Sequence, residues 1–120
     1  MLQIDLKTEF QLIEIQQNKQ SVIYEIRNLI NNKVYIGKSV NILIRKRQHE
    51  NSFKRNCAVN LHLQNAINKY GIENFKFSIL EITNSELINV RETFWISKFN
   101  SFDEKYGYNK TTGGDGGNLT

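Results

Sequence analysis

The chain has 120 residues, a formal net charge of +4, a single cysteine and no proline. This length fits one domain whose core needs no disulfide or metal to hold it together. No stretch approaches the ~20 consecutive apolar residues of a membrane span, and the first residues lack the order of a signal peptide. We therefore expect no membrane partner, no intrachain disulfide at Cys57, and a location in the reducing cytoplasm.

The positive charge is concentrated in residues 41–56. This segment carries five basic residues against Glu50 alone, so its excess of charge equals that of the whole chain. A concentrated basic patch is typical of proteins that bind phosphate groups, although a solvated helix face has the same composition. The basic residues are Arg45, Lys46, Arg47, Lys54 and Arg55.

The first twenty residues are polar and rich in glutamine, with a short apolar cluster between Phe10 and Ile15. Because the cluster fits neither helical nor strand spacing cleanly, we predict an additional strand or arm there and assign it no function.

Two runs rich in Ile, Val and Tyr follow, at residues 21–28 and 33–37. They flank Asn31-Asn32, which is the pattern of a β-hairpin closed by a turn with a positive φ. The two-residue period of a strand places Ile23 and Tyr24 on opposite faces.

The rest of the chain predicts three helices and one more strand. A helix begins near Ser39 or Asn41 and ends near Asn56, and a second one ends at Gly71. The spacing of Leu61, Leu63, Ala66, Ile67 and Tyr70 indicates that second helix. A strand follows on Phe75, Phe77, Ile79 and Leu80, and the last helix starts after Asn84-Ser85 and ends near Phe99.

This order predicts an α+β fold with a small three-stranded antiparallel sheet flanked by helices. The predicted domain covers residues 21–110. Residues 1–20 form an N-terminal extension, and residues 111–120 form a Gly-rich linker or tail.

One carboxylate lies where an apolar side chain is expected. On a helical wheel, Glu92 is central to the apolar face of the last helix, on the side of Ile88 and Ile96. A buried carboxylate is normally paired with a cation, bound to a metal, or protonated. Glu92 therefore predicts either a salt bridge, to Arg91 or to a lysine across the core, or a ligand for a hard divalent cation such as Mg²⁺.

Arg45 and His49 lie four residues apart on the first helix of the basic segment, so they share a face. Arginine offers a planar fork for phosphate oxygens, and histidine can transfer a proton near neutral pH. Solvent-exposed Arg and His are also common on ordinary helix faces, so the pair fits either a site or a solvated surface.

Together these features resemble the GIY-YIG endonuclease family. The resemblance rests on Val22-Ile23-Tyr24, Tyr35-Ile36-Gly37, the pair Arg45 and His49, Glu92 in "RETFWI", and "GYN" at residues 107–109. These elements occur in the family's order, and they are most similar to the catalytic domains of phage and intron-type homing endonucleases.

The resemblance implies hydrolysis of a phosphodiester bond in double-stranded DNA with one divalent ion, Mg²⁺ or Mn²⁺. It implies that Glu92 holds the metal, that Arg45 braces the scissile phosphate, and that Tyr24 helps to deprotonate the attacking water. Tyr35 would line the site, His49 would assist the proton transfer or orient Tyr24, and Asn109 would support the site by hydrogen bonding. A metal and Arg45 would favour the phenolate form of the tyrosine.

We also predict the DNA-contacting residues, which are Lys38, Arg45, Lys46, Arg47, Lys54 and Arg55. Phosphate contacts give affinity without base readout. This chain has Val22 where the first tripeptide of the family begins with glycine. Some homing members of the family carry a histidine after the basic helix, where this chain has Ala58 and Asn60.

Several alternatives stay open on the sequence. Tyr24 and Tyr35 also fit cross-strand partners that simply pack a sheet face. The chain also fits a nucleic-acid-binding module that has lost cleavage, or a repair or restriction-type nuclease. A zinc protein using His49, Cys57 and His62 is a further alternative, weakened by the lack of a paired-cysteine motif.

Overall fold

A computed structural model describes residues 1–114, and its elements agree with the predicted α+β fold. Three antiparallel strands form one sheet, as the sequence predicted, with the second strand of the chain and the third on either side of the first. The strands are β1 (Ser21–Asn28), β2 (Val34–Ser39) and β3 (Phe75–Thr83). The helices are α1 (Leu6–Gln17), α2 (Ile42–Lys54), α3 (Leu61–Tyr70) and α4 (Ile88–Phe99).

The hairpin between β1 and β2 is confirmed. Asn32 adopts a φ of 64°, and the backbone N–H of Asn28 donates to the carbonyl of Lys33 at 2.9 Å. Ile23 and Tyr24 lie in separate apolar clusters, as expected for side chains on opposite faces of a strand. Tyr24 therefore faces the side of the sheet where α2 and α3 pack.

The prediction of a strand or arm in the first twenty residues is wrong for most of that segment, which forms α1. Its N-cap is Asp5, whose side chain accepts a hydrogen bond from the N–H of Thr8. Leu12 and Ile15 are buried on one side, whereas Leu6, Phe10 and Ile13 are exposed. Because apolar residues lie on more than one face of the helix, the 3.6-residue period is blurred in the sequence.

The other predicted helices and the third strand are confirmed with small shifts at their ends. Helix α3 ends at Tyr70, and Gly71, with a φ of +88°, is its C-cap, as predicted. Helix α4 begins at Ile88, three residues after Ser85 of the predicted cap pair Asn84-Ser85. The reason is that Asn84 forms a separate turn, in which its side chain accepts from the N–H groups of Glu86 and Leu87.

The predicted Gly-rich tail is described as far as Gly114. Gly113 and Gly114 both have positive φ values, and the rest of the predicted Gly-rich tail, residues 115–120, lies outside the described residues. Within residues 1–114, no helix combines the length and the apolar character needed to cross a bilayer.

Candidate active site

One cleft of about 480 Å³ brings together every residue that the sequence predicted to be catalytic. Strands β1 and β2, helices α2 and α4, and the segment after α4 all contribute to its walls. The predicted catalytic residues that line it are Tyr24, Tyr35, Arg45, His49, Glu92 and Asn109.

Tyr24 reaches the cleft because its partner in the register of β1 and β2 is a glycine. Tyr24 pairs with Gly37, and a Cβ at Gly37 would overlap the phenol ring and its hydroxyl. The ring stacks on Phe77 with 5.1 Å between centroids, and it is fully buried. The glycine of the Tyr35-Ile36-Gly37 tripeptide therefore provides the space in which Tyr24 lies.

The hydroxyl of Tyr24 is hydrogen-bonded to Nε2 of His49 at 2.6 Å. Burial raises the pKa of Tyr24, as does the neighbouring Tyr35, and the positive charge of Arg45 only partly opposes them. Burial, reinforced by the charge of Arg45, lowers the pKa of His49 to about 3. Arg45 thus favours the phenolate as expected, but burial outweighs it, and both partners are uncharged near neutral pH.

Tyr35 lies on the same face of the hairpin as Tyr24, but the two are not direct cross-strand partners, because Tyr35 is opposite Ile26. The imidazole of His49 makes edge contacts with both phenol rings. The distance between ring centroids is 5.7 Å to Tyr24 and 5.8 Å to Tyr35. Burial also raises the pKa of Tyr35, with Arg45 acting against it. The tyrosines therefore pack against a histidine that lines the cleft, instead of only against each other.

Arg45 lies beside these groups, one helical turn before His49. Its guanidinium is near enough to act on the pKa of Tyr24, Tyr35 and His49. Among residues 1–114 its Nε is buried without a hydrogen-bond partner, and Nη1 makes only a long contact of 3.4 Å with Gln48. Such a donor favours an anion that completes its hydrogen bonds, as a phosphate would.

Glu92 is buried, as the helical wheel predicted, and its partner is a lysine across the core. Oε1 of Glu92 lies 3.3 Å from Nζ of Lys38 and accepts from the N–H of Gly114 at 3.1 Å. Lys38 also donates to Oδ1 of Asn89 at 2.6 Å. Arg91, the other predicted partner, is instead paired with Glu81 at 2.7 Å.

Lys38 and Asn89 belong to the site in a way that the sequence did not reveal. The sequence predicted Lys38 only as a DNA contact and assigned no role to Asn89. The only available signal was the two-residue period of β2, which places Lys38 on the same face as Ile36 and thus toward α4.

Asn109 supports the cleft by bridging β2 and the segment after α4. Its side-chain amide donates to the carbonyl of Ile36, and its Oδ1 accepts from the N–H of Ile36, each at 2.9 Å. The same oxygen accepts from the hydroxyl of Ser101 at 2.7 Å. With both polar atoms of its amide engaged by the protein, Asn109 holds the walls of the cleft together.

The predicted DNA-contacting residues do not form one continuous group. Arg45 and Lys38 line the cleft, whereas Lys46 pairs with Glu50 at 3.0 Å on another side of α2. Arg47 and Lys54 line a second cleft of about 730 Å³ together with Lys46, and Arg55 is exposed at the end of α2. Their contacts with DNA stay a prediction.

The donor set of the cleft fits a metal held by one carboxylate. Glu92 is the one acidic side chain that lines it in the described part of the chain. Mg²⁺ is commonly held by one or two carboxylates and completes its shell with water and substrate phosphate. Across residues 1–114, no three His, Cys, Asp or Glu side chains are placed to share a metal, which contradicts the zinc alternative built on His49, Cys57 and His62.

Residues 20–109 match the GIY-YIG catalytic domain. The chain therefore belongs to the GIY-YIG family, and its three-stranded sheet with flanking helices is the fold of that family's homing-endonuclease catalytic domains.

The proteins similar to this chain include two endonuclease sequences and two solved structures. It is 38% identical to the "Intron-associated endonuclease 1" of Enterobacteria phage T4 over 98 residues, which are 80% of this chain and 40% of the relative. It is 34% identical to the "Probable intron-encoded endonuclease 1" of Neurospora crassa over 93 residues, which are 72% of this chain and 29% of the relative. The chain thus spans less than half of either relative.

The solved structures are both of the catalytic domain of I-TevI, which is described as an intron or homing endonuclease. A variant with a glutamate replaced by alanine has a TM-score of 0.70 and 36% identity, covering 78% of this chain and 95% of that one. The other structure has a TM-score of 0.69 and 38% identity, covering 76% of this chain and 98% of that one.

Proposed function

We propose that this chain is an endonuclease domain that hydrolyses a phosphodiester bond of double-stranded DNA with the help of one divalent cation. The observation that carries the proposal is the shared cleft, where a tyrosine–histidine pair, an arginine with an unpaired donor and a single carboxylate face one another. Binding alone does not require a buried carboxylate beside a basic surface.

The Tyr24–His49 pair supplies a path for the proton of the attacking water. In the neutral tautomer of His49 that carries its proton on Nδ1, Nε2 would accept the hydrogen bond of the Tyr24 hydroxyl. As the water oxygen attacks phosphorus, its proton passes to the Tyr24 oxygen while the phenolic proton moves to Nε2. The pair thus needs no free phenolate, which burial of Tyr24 disfavours.

Arg45 would bind the scissile phosphate. Phosphate oxygens would complete the hydrogen bonds of its guanidinium, and its fixed positive charge would stabilise the negative charge that develops in the transition state. The same charge lowers the pKa of His49, so it keeps the imidazole neutral in the resting protein and opposes the positive charge that His49 gains when it takes the phenolic proton; the bound phosphate anion would offset this charge.

Glu92 would hold the cation, Mg²⁺ or Mn²⁺. A bound divalent ion would acidify water and neutralise charge on the leaving oxygen. Because Lys38 already neutralises Glu92, the carboxylate would have to exchange or share this ammonium partner when the cation binds. The cation would complete its shell with water and substrate phosphate, because Glu92 is the one carboxylate that lines the cleft in the described part of the chain.

Nicking of supercoiled plasmid tests the proposal. Wild-type protein should convert the plasmid to open circles with Mg²⁺ or Mn²⁺ and should stop when EDTA is added. Glu92→Ala that retains its circular dichroism spectrum should not cut. Cleavage that persists in EDTA would contradict the metal, and cleavage by folded Glu92→Ala would contradict the role of Glu92.

The second candidate function is DNA binding without cleavage, supported by the exposed basic residues Arg47, Lys54 and Arg55. It predicts equal binding of DNA by wild type and by Glu92→Ala, with no nicking by either under any metal condition. The two functions therefore give opposite results in the same plasmid assay.

A further inference from the structure

The N-terminal segment, residues 1–17, contacts α2 at both ends of the part that carries Arg45 and His49. It precedes residues 20–109, the range that matches the family domain. Its apolar residues Leu12 and Ile15 are buried in the same cluster as Ile42, the first residue of α2. The segment is thus packed into the core next to the helix that supplies Arg45 and His49 to the candidate site.

The first polar contact completes the start of α2. The side-chain Oε1 of Gln16 accepts from the backbone N–H of Leu43 at 3.2 Å. First-turn N–H groups have no partner within a helix, and the N-cap side chain normally accepts from one of them. Asn41 occupies the N-cap but makes no such bond, and its Oδ1 is buried without a partner among the described residues. Gln16 therefore acts as the cap of α2 from another helix.

The second polar contact lies two turns further along α2. The backbone N–H of Leu2 donates to Oε2 of Glu50 at 3.1 Å, and the same carboxylate oxygen lies 3.0 Å from Nζ of Lys46. Leu43, Lys46 and Glu50 are spaced by three and four residues, so they lie on one side of the helix. Arg45 and His49 face the cleft from another side.

We propose that the N-terminal segment positions α2 for catalysis and that Gln16 is its main positioning residue. A helix held at Leu43 and Glu50 cannot rotate or slide without breaking these contacts, so His49 stays 2.6 Å from the hydroxyl of Tyr24. This inference rests on the proposed roles of Arg45 and His49. It assigns a role in the same reaction to a segment outside the matched domain.

Three variants test the role of Gln16 in plasmid nicking. Gln16→Met keeps the shape of the side chain but removes the acceptor, and kcat should fall about tenfold because small displacements of catalytic groups are costly. KM for DNA should stay within about twofold, since Gln16 does not bind substrate. Gln16→Glu restores an acceptor at a helix N-terminus and should recover most of kcat. The exposed neighbour Gln17, changed to Met, is the matched control and should leave both constants unchanged.

Hydrogen exchange of the Leu43 amide, followed by NMR, gives a readout that does not depend on cleavage. We expect faster exchange in Gln16→Met than in wild type, Gln17→Met and Gln16→Glu. Wild-type kcat in folded Gln16→Met, no recovery in Gln16→Glu, or unchanged exchange at Leu43 would each overturn the inference. If wild-type protein does not cut DNA at all, the proposed function fails, and the exchange rates alone decide whether Gln16 holds α2.

Discussion

The hydroxyl of Tyr24 and Nε2 of His49 lie 2.6 Å apart, and each belongs to a group whose charged form is disfavoured near neutral pH. Burial is the largest cause in both cases, and it acts in opposite directions on the two pKa values because the phenol ionises to an anion and the imidazole to a cation. The pair is consequently a neutral donor and a neutral acceptor, ready to move a proton without a preformed charge.

Removing the hydroxyl of Tyr24 should separate its chemical role from its packing role. We expect Tyr24→Phe to lower kcat at least about 100-fold, the range typical of a lost acid–base group. The free energy of unfolding should fall by only about 1 kcal/mol, because the ring remains stacked on Phe77. Plasmid nicking and urea unfolding measure the two effects. Tyr106→Phe, at an exposed tyrosine, should change neither, and a Tyr24→Phe variant that cuts at the wild-type rate would contradict the proton path.

The partly buried His49 should make the fold sensitive to acid. Burial and the charge of Arg45 lower its pKa to about 3 in the folded protein, against 6.5 for an ordinary histidine, so below pH 6.5 the unfolded chain binds a proton that the folded chain does not. The free energy of unfolding should therefore fall with decreasing pH from about 6.5 toward 3, by at most about 1.4 kcal/mol per pH unit.

Urea unfolding at several pH values between 7 and about 4 measures this slope. His49→Gln, which does not titrate, should flatten it relative to wild type. Burial also lowers the pKa of His62, but less strongly, so His62→Gln should keep the steeper part of the slope. A wild-type slope that survives unchanged in His49→Gln would show that other groups cause the acid sensitivity.

The Lys38–Glu92 pair should be strongly coupled. Lys38→Met removes the ammonium that lies 3.3 Å from the buried carboxylate of Glu92, and we expect it to cost about 3 kcal/mol of unfolding free energy; Glu92→Gln removes the same ion pair from the other side. The double variant should lose less than the sum of the two single losses. It should nevertheless stay inactive, because the carboxylate is absent.

The more exposed Arg91–Glu81 pair, which joins α4 to β3, gives the comparison for this cycle. Its coupling energy should be smaller, since solvent screens a partly exposed pair. Additive losses at Lys38 and Glu92 would show that the two charges do not depend on each other in the folded protein.

Gly37 should tolerate no side chain while Tyr24 is present. In Gly37→Ala the new Cβ would overlap the phenol ring, so we expect a loss of about 2 kcal/mol in unfolding free energy and little remaining nicking. Adding Tyr24→Leu should recover stability but not activity, because the overlap is relieved while the hydroxyl is lost. A fully active Gly37→Ala would contradict the placement of Tyr24 against Gly37.

The exposed arginines of α2 and its end should contribute to DNA affinity through phosphate contacts. We expect Arg47→Gln and Arg55→Gln each to weaken binding and to reduce the slope of log affinity against log salt by about 0.9. Fluorescence anisotropy with a labelled duplex at several salt concentrations measures this slope. Lys105→Gln, outside the basic segment, serves as the control, and an unchanged slope in both arginine variants would remove them from the DNA-binding surface.

The sequence by itself determined the α+β order, the hairpin with its positive-φ turn, and the burial of Glu92. Each depends on local spacing: strands alternate every two residues, and α4 repeats every 3.6, so the apolar neighbours of Glu92 along the helix already define its face. The tyrosines, Arg45, His49 and Asn109 were likewise identified by type and order, and the cleft brings them together.

Only the tertiary structure decided which groups touch. The partner of Glu92 is Lys38, from a strand more than fifty residues earlier, and no local period distinguishes it from other lysines. The pKa shifts of Tyr24 and His49 depend on burial, which arises from several elements packing together. Residues 6–17 form a helix against expectation because docking on α2 stabilises it. Tertiary packing supplies most of the stability of a short helix whose own apolar pattern is blurred.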